Sequence, residues 1–373
     1  MRLIQFDMER WQSTFEHRVD FNLSESGVHP LTAGELLALA DGGPKLESIR
    51  LGYGQSNGSD ELRRRIAALY PGATEDHVVV TTGGIEANLV AFWHLLQPGQ
   101  ALAAMMPNYM QVPGLMDNTG GTVLPFHLLE EQGWSPDFDA LADALANGAR
   151  TILITNPNNP TGRVLREDEM DRIVALADDH EAWILSDEVY QGAELSDRET
   201  PSFWGRSNRV IVTNSLSKAY ALPGLRIGWA VAPPDVVERL WARTDYTTIS
   251  PASLSDTLAT VALSEEVRSK LLARTRAILQ NNFRVLQEWM EGCGGLFSYQ
   301  APDAGAICMV RYHAPVDSLE LAETLRRDYA LLVVPGAHFG YESMLRLGFG
   351  PPEEELREAL SRLESAFTAV RAA

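Results

Sequence analysis

The residue of this sequence best suited to covalent chemistry is Lys218, one of only three lysines in a chain that otherwise relies on arginine. It lies in "TNSLSKAYALPGLRIGW" (213–229), after the apolar run "VIV". A lysine that attacks a carbonyl must be uncharged, and the carboxyl end of a buried strand offers the desolvation this requires. Lys45, in a Gly-Pro loop, and Lys270, in a charged segment, look solvated. Lys218 alone would also fit a surface lysine at a loop edge.

The neighbours of Lys218 favour a phosphate ligand. Ser215, Ser217 and Arg226 offer two hydroxyl donors and a bidentate cation within one short loop. In "TTGGIEANL", Gly83 and Gly84 end an apolar run and open a helical one, where free backbone N–H groups and the helix dipole attract anions. Each element has a simpler interpretation, a serine-rich turn with an exposed arginine and a glycine turn.

Further polar residues follow other apolar runs. Asn159 lies in the turn "TNPNNPTGRV", and Asp187 and Tyr190 lie in "WILSDEVY". Asp187 would suit a pyridinium nitrogen, although it would also suit a helix N-cap. Tyr109 in "MPNYMQV" is an aromatic residue able to cover a ring. An amine, a phosphate cradle, an acid, a hydrogen-bond donor and an aromatic plate together are what pyridoxal phosphate requires.

The composition excludes several other classes of protein. A formal charge of −19 argues against a nucleic-acid surface, although a local pocket can still hold an anion. Two cysteines cannot build a disulfide framework, and the first residues, "MRLIQFDMERWQ", lack an apolar signal core. No run reaches the length of a membrane span. The default expectation is a cytoplasmic protein without nucleic-acid, membrane or metal partners.

Short apolar runs alternate with helical patterns from residue 59 onward, and they predict a mainly parallel sheet with helices on both faces. The last eighty residues change to strands and helices of a smaller α+β unit, which the N-terminal segment is expected to join. The predicted class is α/β. The predicted domains are a large cofactor-binding domain of residues 46–262 and a small domain of residues 1–45 and 263–373.

Six motifs in register resemble the fold-type I, class I/II aminotransferase family over essentially the whole chain. They are "YGQSNGSDELR", "TTGGIEAN", "TNPNNPTG", "SDEVY", "SLSKAYALPGLRIGW" and "MLRLGFG". The resemblance implies that Lys218 forms the imine with the cofactor aldehyde and then carries the substrate Cα proton. It implies that Asp187 pairs with the ring nitrogen, that Asn159 and Tyr190 bind the ring hydroxyl, and that Tyr109 stacks on the ring.

The same resemblance also implies which residues bind the substrate carboxylate and the cofactor phosphate. It implies that Arg346 clamps the substrate α-carboxylate, next to Asn159, and that the chain works as a homodimer in which Tyr53 reaches the partner's cofactor. The residues implied to hold the phosphate within one chain are Gly84, Ile85, Ser215, Ser217 and Arg226.

The N-terminal segments "MERW" and "NLSESGVHPLTAGEL" resemble the arginine-handling enzymes of the capreomycidine-synthase group. This implies Glu9 as a guanidinium partner and His29 as an acid–base or positioning group, whereas both would also fit ordinary helix and turn residues. "SDEVY", with Tyr190, is the form usual in transaminases. The resulting prediction is an aminotransferase for a basic, arginine-like amino acid with a 2-oxo acid acceptor; the alternatives are elimination with cyclisation of a hydroxyarginine-like substrate, and a non-enzymatic cofactor-binding regulator.

Overall fold

The computed structural model describes residues 3–40 and 43–372. Its helices are α1 (Asp7–Phe15), α2 (Ala33–Ala38), α3 (Asp60–Ala67), α4 (Gly84–Leu95), α5 (Gln111–Thr119), α6 (Phe138–Ala146), α7 (Glu167–Asp179), α8 (Pro234–Thr244), α9 (Ser253–Ala262), α10 (Glu265–Gly292), α11 (Ser318–Tyr329) and α12 (Glu353–Ala372). Its strands are β1 (Phe21–Asn22), β2 (Val78–Thr81), β3 (Ala101–Met106), β4 (Thr122–Leu129), β5 (Ser135–Pro136), β6 (Thr151–Thr155), β7 (Trp183–Asp187), β8 (Val210–Ser215), β9 (Gly228–Val231), β10 (Phe297–Tyr299), β11 (Ile307–Tyr312), β12 (Leu331–Leu332), β13 (Val334–Pro335) and β14 (Met344–Gly348). The predicted α/β class is confirmed.

The large sheet has eight strands in the order β2-β9-β8-β7-β6-β3-β4-β5. The central pairs, from β4 through β3, β6 and β7 to β8, are parallel, whereas β9 runs antiparallel to both β8 and β2. The β5 edge is also antiparallel. The sheet is therefore mixed but mostly parallel, as expected for a fold-type I enzyme.

The side chains of the large sheet pack into two separate hydrophobic cores, because successive residues of a strand point to opposite faces. One core contains residues of α4, α5 and α8. Its sheet residues are Val79, Leu102, Ala104, Leu153, Leu185, Ile211 and Ala230. The opposite sheet face packs into the larger core, which includes residues of α6 and α7. Burial on both faces explains why these strands read as continuous apolar runs.

The parallel register sets the location of the site. Thr155, the last residue of β6, pairs with Asp187, the last residue of β7, and Asp187 pairs with Thr213 of β8. The carboxyl ends of three neighbouring strands therefore meet at one edge of the sheet, where open α/β sheets bind ligands.

A second, four-stranded antiparallel sheet has the order β10-β11-β14-β13, and β1 near the N-terminus pairs in parallel with β12. This pairing attaches the N-terminal segment to the C-terminal part of the chain. The division into domains of residues 46–262 and of 1–45 with 263–373 stays a prediction. Residues 1, 2, 41, 42 and 373 of those ranges lie outside the described residues.

No helix within residues 3–40 and 43–372 is both long enough and apolar enough to cross a membrane.

Candidate active site

A cavity of about 280 Å³ lies at the carboxyl edge of the large sheet, near the ~300 Å³ lower end of small-molecule pockets. The N-terminal segment and β14 supply further wall residues, so both sheets contribute to it. The cavity brings together most of the predicted site residues. Those that line it are Glu9, Gly84, Ile85, Tyr109, Asn159, Asp187, Tyr190, Ser215, Ser217, Lys218, Arg226 and Arg346.

One end of the cavity is built as an anion cradle around the start of α4. Gly83 precedes the helix with φ 82° and has no side chain to cap it, so the first N–H groups of α4 stay free for a ligand. A Cβ on Gly83 would lie 2.4 Å from Nη2 of Arg226, and one on Gly84 would touch Ser215 at 3.4 Å. Glycines at these positions let the helix N-terminus, a hydroxyl and a guanidinium converge, as a phosphate monoester requires.

Asp187 is buried and held in a fixed orientation. Its Oδ2 accepts a hydrogen bond from Nδ2 of Asn88 at 2.8 Å, and its Oδ1 accepts one from the Val189 N–H at 3.2 Å. Thr213 in turn donates to Oδ1 of Asn88 at 2.7 Å. Burial raises the pKa of Asp187, although its hydrogen bonds partly oppose this effect. Among the described residues it forms no ion pair, so a ligand cation would stabilise its charged form.

Lys218 follows β8 and points at the N-terminal segment. Its Nζ donates a hydrogen bond to Oε1 of Glu25 at 2.6 Å. Burial disfavours the ammonium, but the Glu25 carboxylate and the Tyr190 hydroxyl more than offset this, so the pKa of Lys218 is raised. Placement in the cavity would raise the pKa of Glu25, but the nearby Lys218 ammonium lowers it to about 2. The two groups form an ion pair.

Arg346 is 1% exposed and projects from β14. Its Nη1 donates to Oδ1 of Asn159 at 2.9 Å, and its Nη2 donates to the carbonyl of Ser24. Its Nε is buried and has no hydrogen-bond partner among the described residues. Burial lowers the pKa of Arg346, although nearby Tyr190 and Glu25 oppose this. A substrate carboxylate is the kind of group that would satisfy this guanidinium.

Two tyrosines tie the sheet edge to the N-terminal segment. Tyr190 is buried, and its hydroxyl donates to Oγ of Ser26 at 2.9 Å. The hydroxyl of Tyr109 donates to Oε1 of Glu9 at 2.7 Å, which holds the carboxylate of Glu9 at the cavity wall. Burial, and then the charge of Glu9, raises the pKa of Tyr109 well above its usual value. Tyr109 therefore stays a hydrogen-bond donor at neutral pH.

Two predicted residues do not line this cavity. The structure places His29 against Arg274, whose Nη2 donates to Nδ1 of His29 at 2.9 Å and to its carbonyl at 3.1 Å. Arg274 thus contacts one of the two ring nitrogens of His29, and the substrate role of His29 stays a prediction. Tyr53 is 89% exposed on the surface of its own chain, where a residue meant for a partner's site would have to lie.

The structure adds residues that the sequence patterns did not single out, among them Glu25, Ser26 and Asn88. Asn88 lies four residues after Gly84 on α4, and this helical spacing was a usable signal. Glu25 and Ser26 lie in the quoted "NLSESGVH" segment, but their partners Lys218 and Tyr190 are 193 and 164 residues away. No local pattern could have paired them.

The residues present fit pyridoxal phosphate. The glycine-lined cradle suits its phosphate, Asp187 offers a buried carboxylate that lacks a cation among the described residues, and the Lys218 amine lies on the same cavity. When bound, the cofactor supplies an aldehyde for the lysine and an electron-withdrawing ring that acidifies the Cα–H of an amino acid. Fold and site together define the class, an enzyme that uses this cofactor on amino acids.

Comparison with known proteins supports this class. Residues 38–363 match the model of the family described as aminotransferase class I and II, and the chain belongs to this family. It is 33% identical to capreomycidine synthase of Streptomyces vinaceus over 361 residues, which cover 95% of this chain and 92% of that protein.

Solved structures show the same relationship. A PLP-dependent aminotransferase from Streptococcus suis 89-1591 superposes with a TM-score of 0.93 at 31% identity, covering 99% of both chains. The PLP-dependent cyclase OrfR superposes with a TM-score of 0.87 at 25% identity, covering 100% of this chain and 98% of that one. The chain is a pyridoxal-phosphate-dependent enzyme, and its relatives include both transferases and a cyclase.

Within this site the side chains have separable tasks. Arg346 is placed to bind a carboxylate, and the Asn88-held carboxylate of Asp187 is placed to stabilise positive charge. Lys218 places an amine on the same cavity, and this amine is able to act as a base only when its ion pair with Glu25 is open. Tyr190, hydrogen-bonded to Ser26, keeps lone pairs available for a second donor.

Proposed function

We propose that this enzyme is an aminotransferase for a cationic, arginine-like amino acid, with a 2-oxo acid as acceptor. The observation that carries this proposal is the acidic wall of the cavity. Glu9 on α1 and Glu16 just after it line the same cavity as Arg346, and Tyr109 fixes Oε1 of Glu9. One carboxylate-binding guanidinium together with an acidic wall suits a substrate with one carboxylate and a cationic side chain.

In this proposal Lys218 forms the imine with the cofactor and moves the Cα proton. Asp187 holds the ring nitrogen, while Asn159 and Tyr190 contact the ring hydroxyl. Tyr109 covers the ring. The phosphate lies in the cradle formed by Gly84, Ile85, Ser215, Ser217 and Arg226.

The experiment that tests substrate class compares arginine with citrulline, its uncharged isostere, each with and without 2-oxoglutarate. Mass spectrometry of the products should show amino transfer from arginine that depends on the 2-oxo acid. Glu9→Gln should lower kcat/KM for arginine roughly 10- to 100-fold, the size of one hydrogen bond to a charged group, and should affect citrulline much less. An equal loss on both substrates would contradict the role of Glu9.

A matched control for Glu9→Gln is Asp7→Asn. Asp7 lies on the same helix but does not line the cavity, so this change removes one negative charge from α1 outside the site. The preference for arginine over citrulline should survive it. If Asp7→Asn erased the preference as well, general electrostatic attraction would explain the selectivity better than a contact with Glu9.

The second candidate is elimination and cyclisation of a hydroxyarginine-like substrate, as in specialised metabolism. It is supported by the similarity to capreomycidine synthase and to the cyclase OrfR. Both reactions begin with removal of the Cα proton. A cyclic guanidine product formed from hydroxyarginine without any 2-oxo acid would establish this alternative and reject transamination.

The proposed working unit is a homodimer with residues of 46–262 forming its cofactor-binding domains. Exposed apolar side chains cluster on two segments that contact each other, since Ser253 Oγ donates to the carbonyl of Arg50 at 3.1 Å. These side chains are Leu46, Leu51, Tyr53, Tyr246, Ile249 and Leu254. Such a patch favours association with a second copy.

Subunit mixing tests whether Tyr53 serves the partner's site. In a heterodimer of Lys218→Ala and Tyr53→Phe chains, one site carries both defects and the other carries neither if Tyr53 acts across the interface. One of the two sites is therefore intact, and the activity should exceed the average of the two homodimers. Activity no higher than the average of the two homodimers would contradict the shared site.

A further inference from the structure

Glu25 and Lys218 form an ion pair at the wall of the cavity. Oε1 of Glu25 accepts three hydrogen bonds, from Nζ of Lys218 at 2.6 Å and from the N–H groups of Ser26 and Gly27 at 2.8 and 3.2 Å. Oε1 of Glu25 is therefore held by the backbone N–H groups of the next two residues as well as by the Lys218 amine.

The segment that presents Glu25 is firmly attached to the strand bearing Arg346. The Leu23 N–H donates to the Leu332 carbonyl at 2.8 Å, and the Gly348 N–H donates to the Leu23 carbonyl at 2.6 Å. Gly348 must be a glycine at this contact, because a Cβ there would lie 2.2 Å from the carbonyl oxygen of Glu25. The pair thus joins the N-terminal segment to the loop after β8, with the Lys218 side chain 23% exposed and the Glu25 side chain 51% exposed.

The pair conflicts with what Lys218 must do. A lysine attacks an aldehyde only as the neutral amine, whereas a carboxylate at 2.6 Å favours the ammonium. The charged and titratable groups that share the cavity with Lys218 are Glu9, Glu16, Glu25, Tyr109, Asp187, Tyr190, Arg226 and Arg346. Of the carboxylates, Glu25 is the one in contact with Nζ, and the net effect of the surroundings is a raised pKa of Lys218.

We propose that Glu25 is a positioning residue that holds Lys218 as an ammonium in the cofactor-free protein, so that this pair must open before the cofactor is taken up. In the uptake step the Lys218 nitrogen bonds to the aldehyde carbon and the aldehyde oxygen leaves as water. Starting from the ammonium and ending at the protonated imine, no net proton is gained or lost. One proton must nevertheless leave the nitrogen before it attacks, and Glu25 opposes that departure.

The chain has only three lysines, so the reaction of each one can be followed separately. Cofactor-free full-length protein is treated with trace amounts of an amine-acylating reagent from pH 7 to 12, and the modification of each lysine is followed by mass spectrometry. The exposed Lys45 in the same sample corrects for the reactivity of the reagent. Glu25→Gln should lower the midpoint for Lys218 by about one to two pH units, the effect of losing one charged hydrogen bond.

The matched control is Glu16→Gln. Glu16 lines the same cavity, but its carboxylate pairs with His17 and does not contact Lys218. It should leave the Lys218 midpoint within a few tenths of a pH unit. An unchanged midpoint in Glu25→Gln, or an equal shift in Glu16→Gln, would overturn the proposal. The wild-type midpoint is measured too, and a Lys218 midpoint no higher than the ordinary lysine pKa of 10.5 would also overturn the proposal.

A second readout follows uptake itself. Pyridoxal phosphate added to cofactor-free protein at pH 7.5 should bind covalently roughly 10-fold faster in Glu25→Gln than in wild type, monitored by absorbance. Unchanged or slower uptake would contradict the proposal. The proposal rests on the imine role of Lys218, but the labelling midpoint is independent of that role, so a failure of one is distinguishable from a failure of the other.

Discussion

Replacing Glu188 with glutamine should make the protein's stability less sensitive to pH between about 4.5 and 7. The Glu188 carboxyl is 1% exposed; its Oε1 accepts hydrogen bonds from the Phe203 N–H at 2.9 Å and the Ser186 hydroxyl at 3.0 Å. Its Oε2 has no partner among the described residues. Burial, reinforced by the charge of Asp187, raises the pKa of Glu188 from 4.5 to about 7.

The direction in which stability changes with pH depends on whether the folded or the unfolded state holds the Glu188 proton. Because the folded state keeps the Glu188 proton up to about pH 7 and the unfolded chain releases it near 4.5, stability falls as pH rises through this window and then levels off. A shift of this size at ~1.36 kcal/mol per pKa unit gives about 3 kcal/mol. With an unfolding entropy of ~2.1 cal/mol/K per residue, this corresponds to about 4 °C in Tm for the whole chain.

The assay is thermal unfolding of cofactor-free wild type and Glu188→Gln in a series of buffers from pH 4.5 to 8. The Tm difference, variant minus wild type, should grow by about 4 °C up to pH 7 and stay constant above it. Infrared spectroscopy at pH 6 should show a protonated-carboxyl band that the variant lacks. A Tm difference that is the same at every pH, with no such band, would refute the reasoning.

Three further predictions concern other parts of the molecule. Arg346→Lys should lower kcat/KM for the amino acid roughly 10- to 100-fold in steady-state assays, because lysine cannot bind a carboxylate bidentately; an unchanged value would reject the clamp. Gly228→Ala should weaken cofactor binding at least about 10-fold in absorbance titrations, since its Cβ would lie 2.4 Å from the carbonyl carbon of Gly83, whereas Gly114→Ala, in open space, should not; equal affinities would contradict this contact. Cys293, whose pKa burial raises from 9.0 to about 11, should react with a thiol reagent at pH 8 roughly 100-fold more slowly than a free cysteine, and a fast reaction would contradict the structure.

The carboxyl edge of the sheet was predictable from sequence because its residues follow buried strands directly. Asp187 and Ser215 end β7 and β8, and parallel neighbours bring such ends together. The direction of β9 was not predicted. Its antiparallel pairing with β8 depends on how the loop of residues 216–227 turns back, and that loop itself carries Lys218 and Arg226.

The wall formed by the N-terminal segment was predicted only in part. Glu9 lies at the cavity as expected, whereas His29 does not, because Arg274 of α10, 245 residues later, binds it. Glu25 was not predictable for the same reason, since a glutamate in a polar turn is typical of a solvated charge, and its partner Lys218 is 193 residues away. Contacts between segments far apart in sequence are what local patterns leave undetermined.

We propose that the cofactor is carried by Lys218. Purified protein incubated with pyridoxal phosphate, reduced with borohydride and digested should show by mass spectrometry a stable cofactor adduct on the peptide containing Lys218. The peptides of Lys45 and Lys270 should remain unmodified, and Lys218→Ala should give no adduct. An adduct on Lys45 or Lys270 in place of Lys218, or no adduct in the wild-type protein, would contradict the account.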